Sequence, residues 1–115
     1  MTTPKIGTAI PKRRYQLGEF TAVVLGDVES RDGEDYRYVM ALVPEGQHEP
    51  IFYVSSVRNR SDKEGSHRLR AASAQLTRDM GASDGWSNLD NFCDDALQVA
   101  RQALGLMDEQ PIRLG

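Results

Sequence analysis

The side chains whose types and spacing are most suggestive of chemistry in this sequence are arginines. Arg58 and Arg60 follow one apolar segment of the chain. Arg68 and Arg70 lie early in the next segment, so that a hairpin of the two segments would place Arg58 opposite Arg70. Like charges directly across a strand ladder are destabilising unless an anion or a carboxylate neutralises them. This spacing therefore predicts either carboxylate partners within the chain or a basic hairpin that contacts phosphate groups.

The two explanations for the arginines lead to different functions. In the first, the carboxylates of Asp62 and Glu64, which lie in the connecting loop, neutralise the arginines. In the second, the hairpin grips the backbone of a single-stranded nucleic acid, and nearby tyrosines offer surfaces on which bases stack. The predicted anion or nucleic-acid contacts are Arg37, Arg58, Arg60, Arg68 and Arg70, and the tyrosines are Tyr36, Tyr38 and Tyr53. The formal net charge of −3 favours the first explanation, because general nucleic-acid binders are strongly basic.

Side chains suited to catalysis are few and do not converge. His48 precedes Glu49 but lacks the second histidine of a zinc-protease helix, and no second cysteine accompanies Cys93. Adjacent carboxylates at Asp94 and Asp95 would point about 100° apart on a helix, so they cannot act as an acid pair. We therefore expect no catalytic residue, no metal ligand and no cofactor, and we expect that the protein is not an enzyme.

A long amphipathic segment near the carboxyl end is the strongest structural signal. Ser87 is suited to act as the N-cap of a helix, and Gly105 is suited to end it in a left-handed conformation. Between them, apolar residues recur at the spacing that lines one helix face: Leu89, Phe92, Cys93, Ala96, Leu97, Ala100, Ala103 and Leu104. The pattern predicts a helix over 87–105 that packs against strands formed earlier in the chain.

Three apolar segments before the helix are typical of β-strands, because they are rich in β-branched and aromatic residues. They span Tyr15 to Asp27, Tyr36 to Val43 and Ile51 to Val57. Asp32 and Gly33 supply a turn signal between the first two, and short links between consecutive strands predict an antiparallel meander. Alternation places four side chains on one face of the sheet: Tyr36, Tyr38, Met40 and Leu42.

The segment from His67 to Met80 fits two structures. Its alanine content favours a helix, whereas the basic residues at its start would place positive charge unfavourably at the amino end of that helix. A strand with Phe52 opposite Leu76 gives one coherent apolar face, which a slip of one residue would destroy. We favour the strand. The predicted fold class is then α+β, with an antiparallel meander of three to four strands and one carboxyl-terminal amphipathic helix packed on one face.

The chain of 115 residues is expected to form one domain. Residues 1–14 are basic and hold prolines and a glycine, which predicts a flexible amino-terminal arm. Residues 15–107 are expected to form the α+β domain, and residues 108–115 a tail. The sequence has a single cysteine, no membrane-spanning apolar run and no apolar core of a secretory signal. These features predict a cytoplasmic protein that has no membrane partner.

The order of strands followed by one helix resembles that of the positive-cofactor and Whirly single-stranded DNA-binding domains, and the resemblance is one of architecture only. A single helix leaves the other face of the sheet uncovered, where Ile51, Tyr53 and Val57 would lie exposed beside Val39 or Tyr38. Exposed apolar patches mark contact surfaces, so we expect a homodimer or a protein partner. The sequence thus favours a non-catalytic interaction or self-associating module, with single-stranded nucleic-acid binding as the alternative.

Overall fold

A seven-stranded antiparallel sheet and one α-helix make up the part of the chain that the structure describes. The structure is a computed structural model, and it describes residues 4–58, 67–73 and 77–114. In chain order the elements are β1 (Ile6–Leu17), β2 (Phe20–Ser30), β3 (Tyr36–Pro44), β4 (Phe52–Arg58), β5 (His67–Ser73), β6 (Thr77–Ser83), α1 (Leu89–Ala103) and β7 (Ile112–Arg113). The strands lie in the order β6-β5-β4-β3-β2-β1-β7, so that β1 to β6 form a meander and β7 returns to the far edge.

The number of strands differs from the prediction. One antiparallel sheet with one helix agrees with the α+β class, but the predicted three to four strands are wrong, because the described sheet has seven. The segment Tyr15 to Asp27, predicted as one strand, is divided by a hairpin turn between β1 and β2 in which Leu17 pairs with Phe20. Gly18 adopts a φ of +58° in this turn, a conformation that glycine reaches without a Cβ clash.

Both ends of the chain contribute strands to the sheet, within the segments predicted as an arm and a tail. Residues 6–14 lie in β1 and pair with β2, and residues 1–3 lie outside the described part. In the tail, β7 pairs with Tyr15 and Gln16 of β1, and the Leu114 N–H donates to the Arg14 carbonyl at 2.8 Å. Both strands are polar, and a polar strand is hard to recognise from composition without its partner strand.

The ambiguous segment is β-structure in its described residues. It contributes β5 and the start of β6, whereas residues 74–76 lie outside the described part. The pairing of β4 with β5 sets Phe52 opposite Ser73 rather than Leu76, so the predicted register is wrong. The difference is an odd number of residues, and an odd shift moves each side chain to the other face of a sheet. Ala71 of β5 consequently packs on the helix side.

The amphipathic segment forms α1, and its apolar face packs on the sheet as predicted. The buried residues of the helix are Phe92, Cys93, Ala96, Leu97 and Ala100. The centre of the Phe92 ring lies 5.5 Å from the centre of the Tyr38 ring of β3. The N-cap is Asn88, through its side-chain oxygen, and the predicted cap Ser87 instead ends a preceding 3₁₀ turn. Gly105, with a φ of +70°, follows the helix in the expected left-handed conformation.

A β-bulge in β3 separates two tyrosines that the alternation pattern placed together. The register with β4 shifts between Tyr36 and Tyr38. Tyr38 belongs to the core under α1, whereas Tyr36 belongs to a second buried cluster with Val39 and Val57 on the helix-free face. The predicted common face therefore holds for the rest of that strand but not for Tyr36.

The helix-free face is less exposed than predicted. Val39 is 0% exposed and Val57 is 3% exposed, so the expectation of an exposed Val57 is wrong. Ile6 of β1 and Val28 of β2 pack against the cluster that contains these two residues. Register shifts in the outer half of the β1–β2 hairpin bend it, and its apolar residues cover this part of the face. The second cluster thus removes much of the surface that was expected to bind another subunit.

The strand β6 forms one edge of the sheet, and its pairing with β5 is irregular. The register shifts between Arg68 and Arg70 of β5. Gly81 lies in this stretch of β6 with a φ of +108°, and its N–H donates to Asp79 Oδ1 at 3.0 Å. A bulge of this kind twists a strand locally and is common at exposed sheet edges.

Candidate functional site

Three of the arginines predicted as anion contacts lie beside carboxylates. The ion pairs are Arg58 with Asp35 at 3.8 Å, Arg68 with Asp79 at 2.6 Å and Arg70 with Glu34 at 3.2 Å. A carboxylate beside each guanidinium reduces the positive potential that would attract a phosphate. Arg60 lies outside the described residues, as do Asp62 and Glu64, the carboxylates expected to neutralise the cluster.

The register of β4 and β5 also differs from the one that produced like-charge pairs. Arg70 lies opposite Ser55 rather than Arg58. Arg37, another predicted contact, has its guanidinium carbon 5.0 Å from the centre of the Tyr38 ring, within the range of a cation–π contact. The structure therefore places Arg37 and Arg58 in the lining of one shallow pocket, and it brings Arg68 and Arg70 close to Asp79. Carboxylates lie beside Arg58, Arg68 and Arg70 in these positions.

Asp32 and Asp79 have pKa values below the ordinary value of 3.8. The hydrogen bond from Arg68 lowers the pKa of Asp79. Burial alone would raise the pKa of Asp32, but the hydrogen bonds from the Tyr36 hydroxyl at 2.6 Å and the Glu34 N–H at 3.0 Å outweigh it and lower the pKa. Both carboxylates therefore remain ionised at neutral pH and act as acceptors that hold loops and strands together.

A groove lies on the helix side of the sheet, between the carboxyl-terminal half of α1 and strands β4 to β6. It arises because α1 packs chiefly on β3 and β4 and leaves part of the face uncovered toward β5 and β6. Its volume is about 620 Å³, within the range of small-molecule sites. The apolar residues that line the groove include Ile51, Phe52, Ala71, Met80, Val99 and Leu104.

Two apolar side chains of this groove are unusually exposed. Ile51 is 48% exposed and Met80 is 39% exposed, whereas Phe52 and Ala71 beside them are buried. Concave apolar surface of this kind is favourable to cover, because covering it removes apolar area from water. The groove thus offers surface from which a bound apolar group would gain free energy.

Of the lining residues that the structure describes, Arg78 is the charged one. It lies on β6 opposite Ala71, whose side chain faces the helix, so Arg78 projects on the same side of the sheet. Among the described residues, no carboxylate lies within ion-pair distance of its guanidinium. Ser73 and Gln102 supply the other polar side chains of the lining. The groove therefore combines an apolar body with one cation on its β6 side.

Other reactive groups in the described residues serve the fold. Cys93 is fully buried, and burial raises the pKa of its thiol, so it packs as a small apolar residue. Asp95 accepts a hydrogen bond from Trp86 Nε1 at 2.8 Å, which ties the turn before α1 to the helix. Over residues 4–58, 67–73 and 77–114, no three potential metal ligands lie close enough together to hold an ion.

Comparison of the chain with protein-family models, with curated proteins and with solved structures gives no match. Within the described residues, no helix combines the length and the apolar character needed to cross a bilayer. The sequence did not reveal the groove because its walls come from three separate segments, which contribute Ile51, Met80 and Leu104. The one sequence feature that could have indicated the groove is the apolar residue Met80. Whether its side chain faces the helix depends on the strand register, which the sequence pattern did not determine.

Proposed function

We propose that the chain is a non-catalytic binding module and that it binds through the groove between α1 and β4 to β6. The exposure of Ile51 and Met80 beside the buried Phe52, at a concave apolar surface, supports this most strongly. Binding at such a surface gains about 25 cal/mol for each Å² of apolar area removed from water. A bound apolar group therefore covers side chains that folding alone leaves in contact with solvent.

The side chains of the groove favour binding over catalysis. Among the described residues, the polar groups of the lining are Ser73, Arg78 and Gln102, and these residues include no histidine or carboxylate that would act as a base. A serine needs an adjacent base to become a nucleophile, and an arginine does not give up its proton near neutral pH. The groove is therefore suited to hold a ligand and lacks the groups needed to transform it.

A protein partner, in particular a second copy of this chain, is the second candidate occupant. The exposed Ile51 and Met80 favour it, because an apolar side chain inserted between them would be largely removed from water. If two copies associate here, sedimentation equilibrium shows a dimer for the wild-type chain and a monomer for Met80→Glu. A wild-type chain that stays monomeric at micromolar concentration contradicts self-association.

Single-stranded nucleic-acid binding has less support than either occupant of the groove. Arg58, Arg68 and Arg70 have carboxylates within ion-pair distance, and the chain carries a net charge of −3. A phosphate backbone would have to compete with these carboxylates for the same guanidinium groups, which reduces the electrostatic gain on binding.

Labelling of the methionine methyl groups with carbon-13 tests the proposed site by nuclear magnetic resonance. Met80 lines the groove, Met40 is buried in the core and Met107 is exposed outside the groove, so these residues report separately. We expect decanol, a neutral apolar probe, to shift the Met80 resonance and to leave those of Met40 and Met107 unchanged. An unchanged Met80 resonance, or equal shifts at Met80 and Met107, would contradict the proposal.

A further inference from the structure

We propose that the ligand of the groove is an aliphatic monocarboxylate of medium chain length, with its chain against the apolar lining and its carboxylate on Arg78. This inference rests on the proposed function, since it assigns a ligand class to the same groove. It is carried by the position of one cation beside a mostly apolar cavity.

The charge in the groove selects an anionic head group. Arg78 is the charged residue of the lining, and no described carboxylate pairs with it. By contrast, the nearby Arg68 is held by Asp79 at 2.6 Å. A guanidinium offers parallel N–H donors that match the two oxygens of a carboxylate, and this geometry gives a stronger hydrogen bond than a neutral partner does. Arg78 is therefore the available anchor for a carboxylate at this site.

The backbone around the groove favours an aliphatic chain over an extended peptide. Strands β4, β5 and β6 pair with one another beneath the groove, with Phe52 opposite Ser73 and Ala71 opposite Arg78. The N–H and C=O groups of β4 and β5 are therefore engaged within the sheet. The outward N–H and C=O groups of the edge strand β6 lie in the plane of the sheet and do not point into the groove above it. A peptide would bury its own amide groups there without partners, which is costly, whereas an aliphatic chain has no such groups.

The size of the groove sets an expectation for chain length. It has a volume of about 620 Å³, and its apolar residues extend from Ile51 and Phe52 on the sheet to Val99 and Leu104 on the helix side. Each methylene that enters the groove is expected to tighten binding by about two- to fourfold until the groove is filled. Affinity is therefore expected to rise from hexanoate to octanoate and from octanoate to decanoate.

Comparison of decanoate with decanol separates the head group from the chain. We expect decanoate to bind about five- to tenfold more tightly than decanol to the wild-type chain at neutral pH, measured through the Met80 methyl resonance. In Arg78→Gln the two probes are expected to bind equally, because the cation is gone while the apolar lining remains. The matched control Arg113→Gln removes an exposed arginine of β7, outside the groove, and is expected to keep the preference for decanoate.

Each outcome of this comparison decides a different point. Equal affinity of the two probes for the wild-type chain overturns the carboxylate assignment and leaves the proposed groove intact. A preference for decanoate that persists in Arg78→Gln also overturns it, because another cation would then hold the head group. If neither probe moves the Met80 resonance, the proposed function fails as well. The resonance of the buried Met40 shows whether each variant keeps the folded core.

Discussion

Filling the groove with a side chain of the protein itself tests whether covering this surface is favourable. Ala103 is an exposed residue of α1 that lines the groove. The indole of Ala103→Trp can lie in the groove, against the apolar lining, or it can lie in solvent. An exposed alanine makes few contacts, so replacing it costs little free energy of unfolding. The sign of the change in the free energy of unfolding therefore shows where the indole lies.

The expected size of the effect follows from the area that an indole covers. A buried tryptophan removes about 150–250 Å² from water, and we count about half of this because the groove is open on one side. At about 25 cal/mol per Å², the gain is about 2–3 kcal/mol. The lower helix propensity of tryptophan costs about 0.5 kcal/mol, and ordering of the side chain costs about 1 kcal/mol. We therefore expect the free energy of unfolding of Ala103→Trp to rise by about 0.5–1.5 kcal/mol.

Urea unfolding followed by circular dichroism measures this change. Gln98→Trp is the matched control, because Gln98 is an exposed residue of α1 that does not line the groove. Its free energy of unfolding is expected to fall by about 0.5 kcal/mol, because tryptophan has a lower helix propensity and because the exposed hydrogen bond from Arg101 to Gln98 Oε1 is lost. Decanol is expected to bind Ala103→Trp more weakly than the wild-type chain. If Ala103→Trp loses as much stability as Gln98→Trp, covering the groove does not stabilise the protein, which contradicts the prediction.

Other contacts lead to predictions about acid stability, the helix cap and nucleic-acid binding. Asp32 and Asp79 have lowered pKa values in the folded chain, so they stabilise it above their unfolded-state pKa. That contribution is lost as pH falls through the folded-state values, and urea unfolding from about pH 5 to pH 2 is expected to show the decline; constant stability would contradict it. Asn88→Ala is expected to lower the free energy of unfolding by about 1 kcal/mol in thermal unfolding, whereas Asn88→Asp keeps the cap. Labelled single-stranded oligonucleotides are expected not to bind at low salt. Binding that weakens steeply with salt and disappears in the double variant Arg68→Glu, Arg70→Glu would instead support the nucleic-acid alternative.

The elements that the sequence predicted well are those defined by a local pattern. α1 carries a helical period over 15 residues, which is enough to fix its type and its buried face. The strands β3 and β4 lie within one residue of their predicted bounds, because turn residues or a proline border their apolar runs. The choice of strand for the described residues between His67 and Met80 is confirmed, although the segment is divided between two strands.

The features that the sequence did not reveal depend on contacts between distant residues. β1 and β7 are polar strands that become recognisable only when their partners are known. Arg70 and Glu34 are 36 positions apart, so their ion pair depends on a register that the pattern did not determine. The groove likewise requires Ile51, Met80 and Leu104 to meet from three segments. The periodicity of apolar residues along the sequence cannot predict a surface that forms only after the sheet and the helix have packed together.

The irregular edge of the sheet has a consequence for how these molecules behave when concentrated. A sheet edge presents a row of N–H and C=O groups to any passing strand. On β6 that row is interrupted at Gly81, whose N–H is already bound by Asp79. A strand from a neighbouring molecule cannot form a continuous ladder of hydrogen bonds along this edge. The extension of the sheet from one molecule to the next, as in a fibril, is therefore hindered there. Because of this distortion, reversible association of two molecules at this edge would depend on contacts between their side chains.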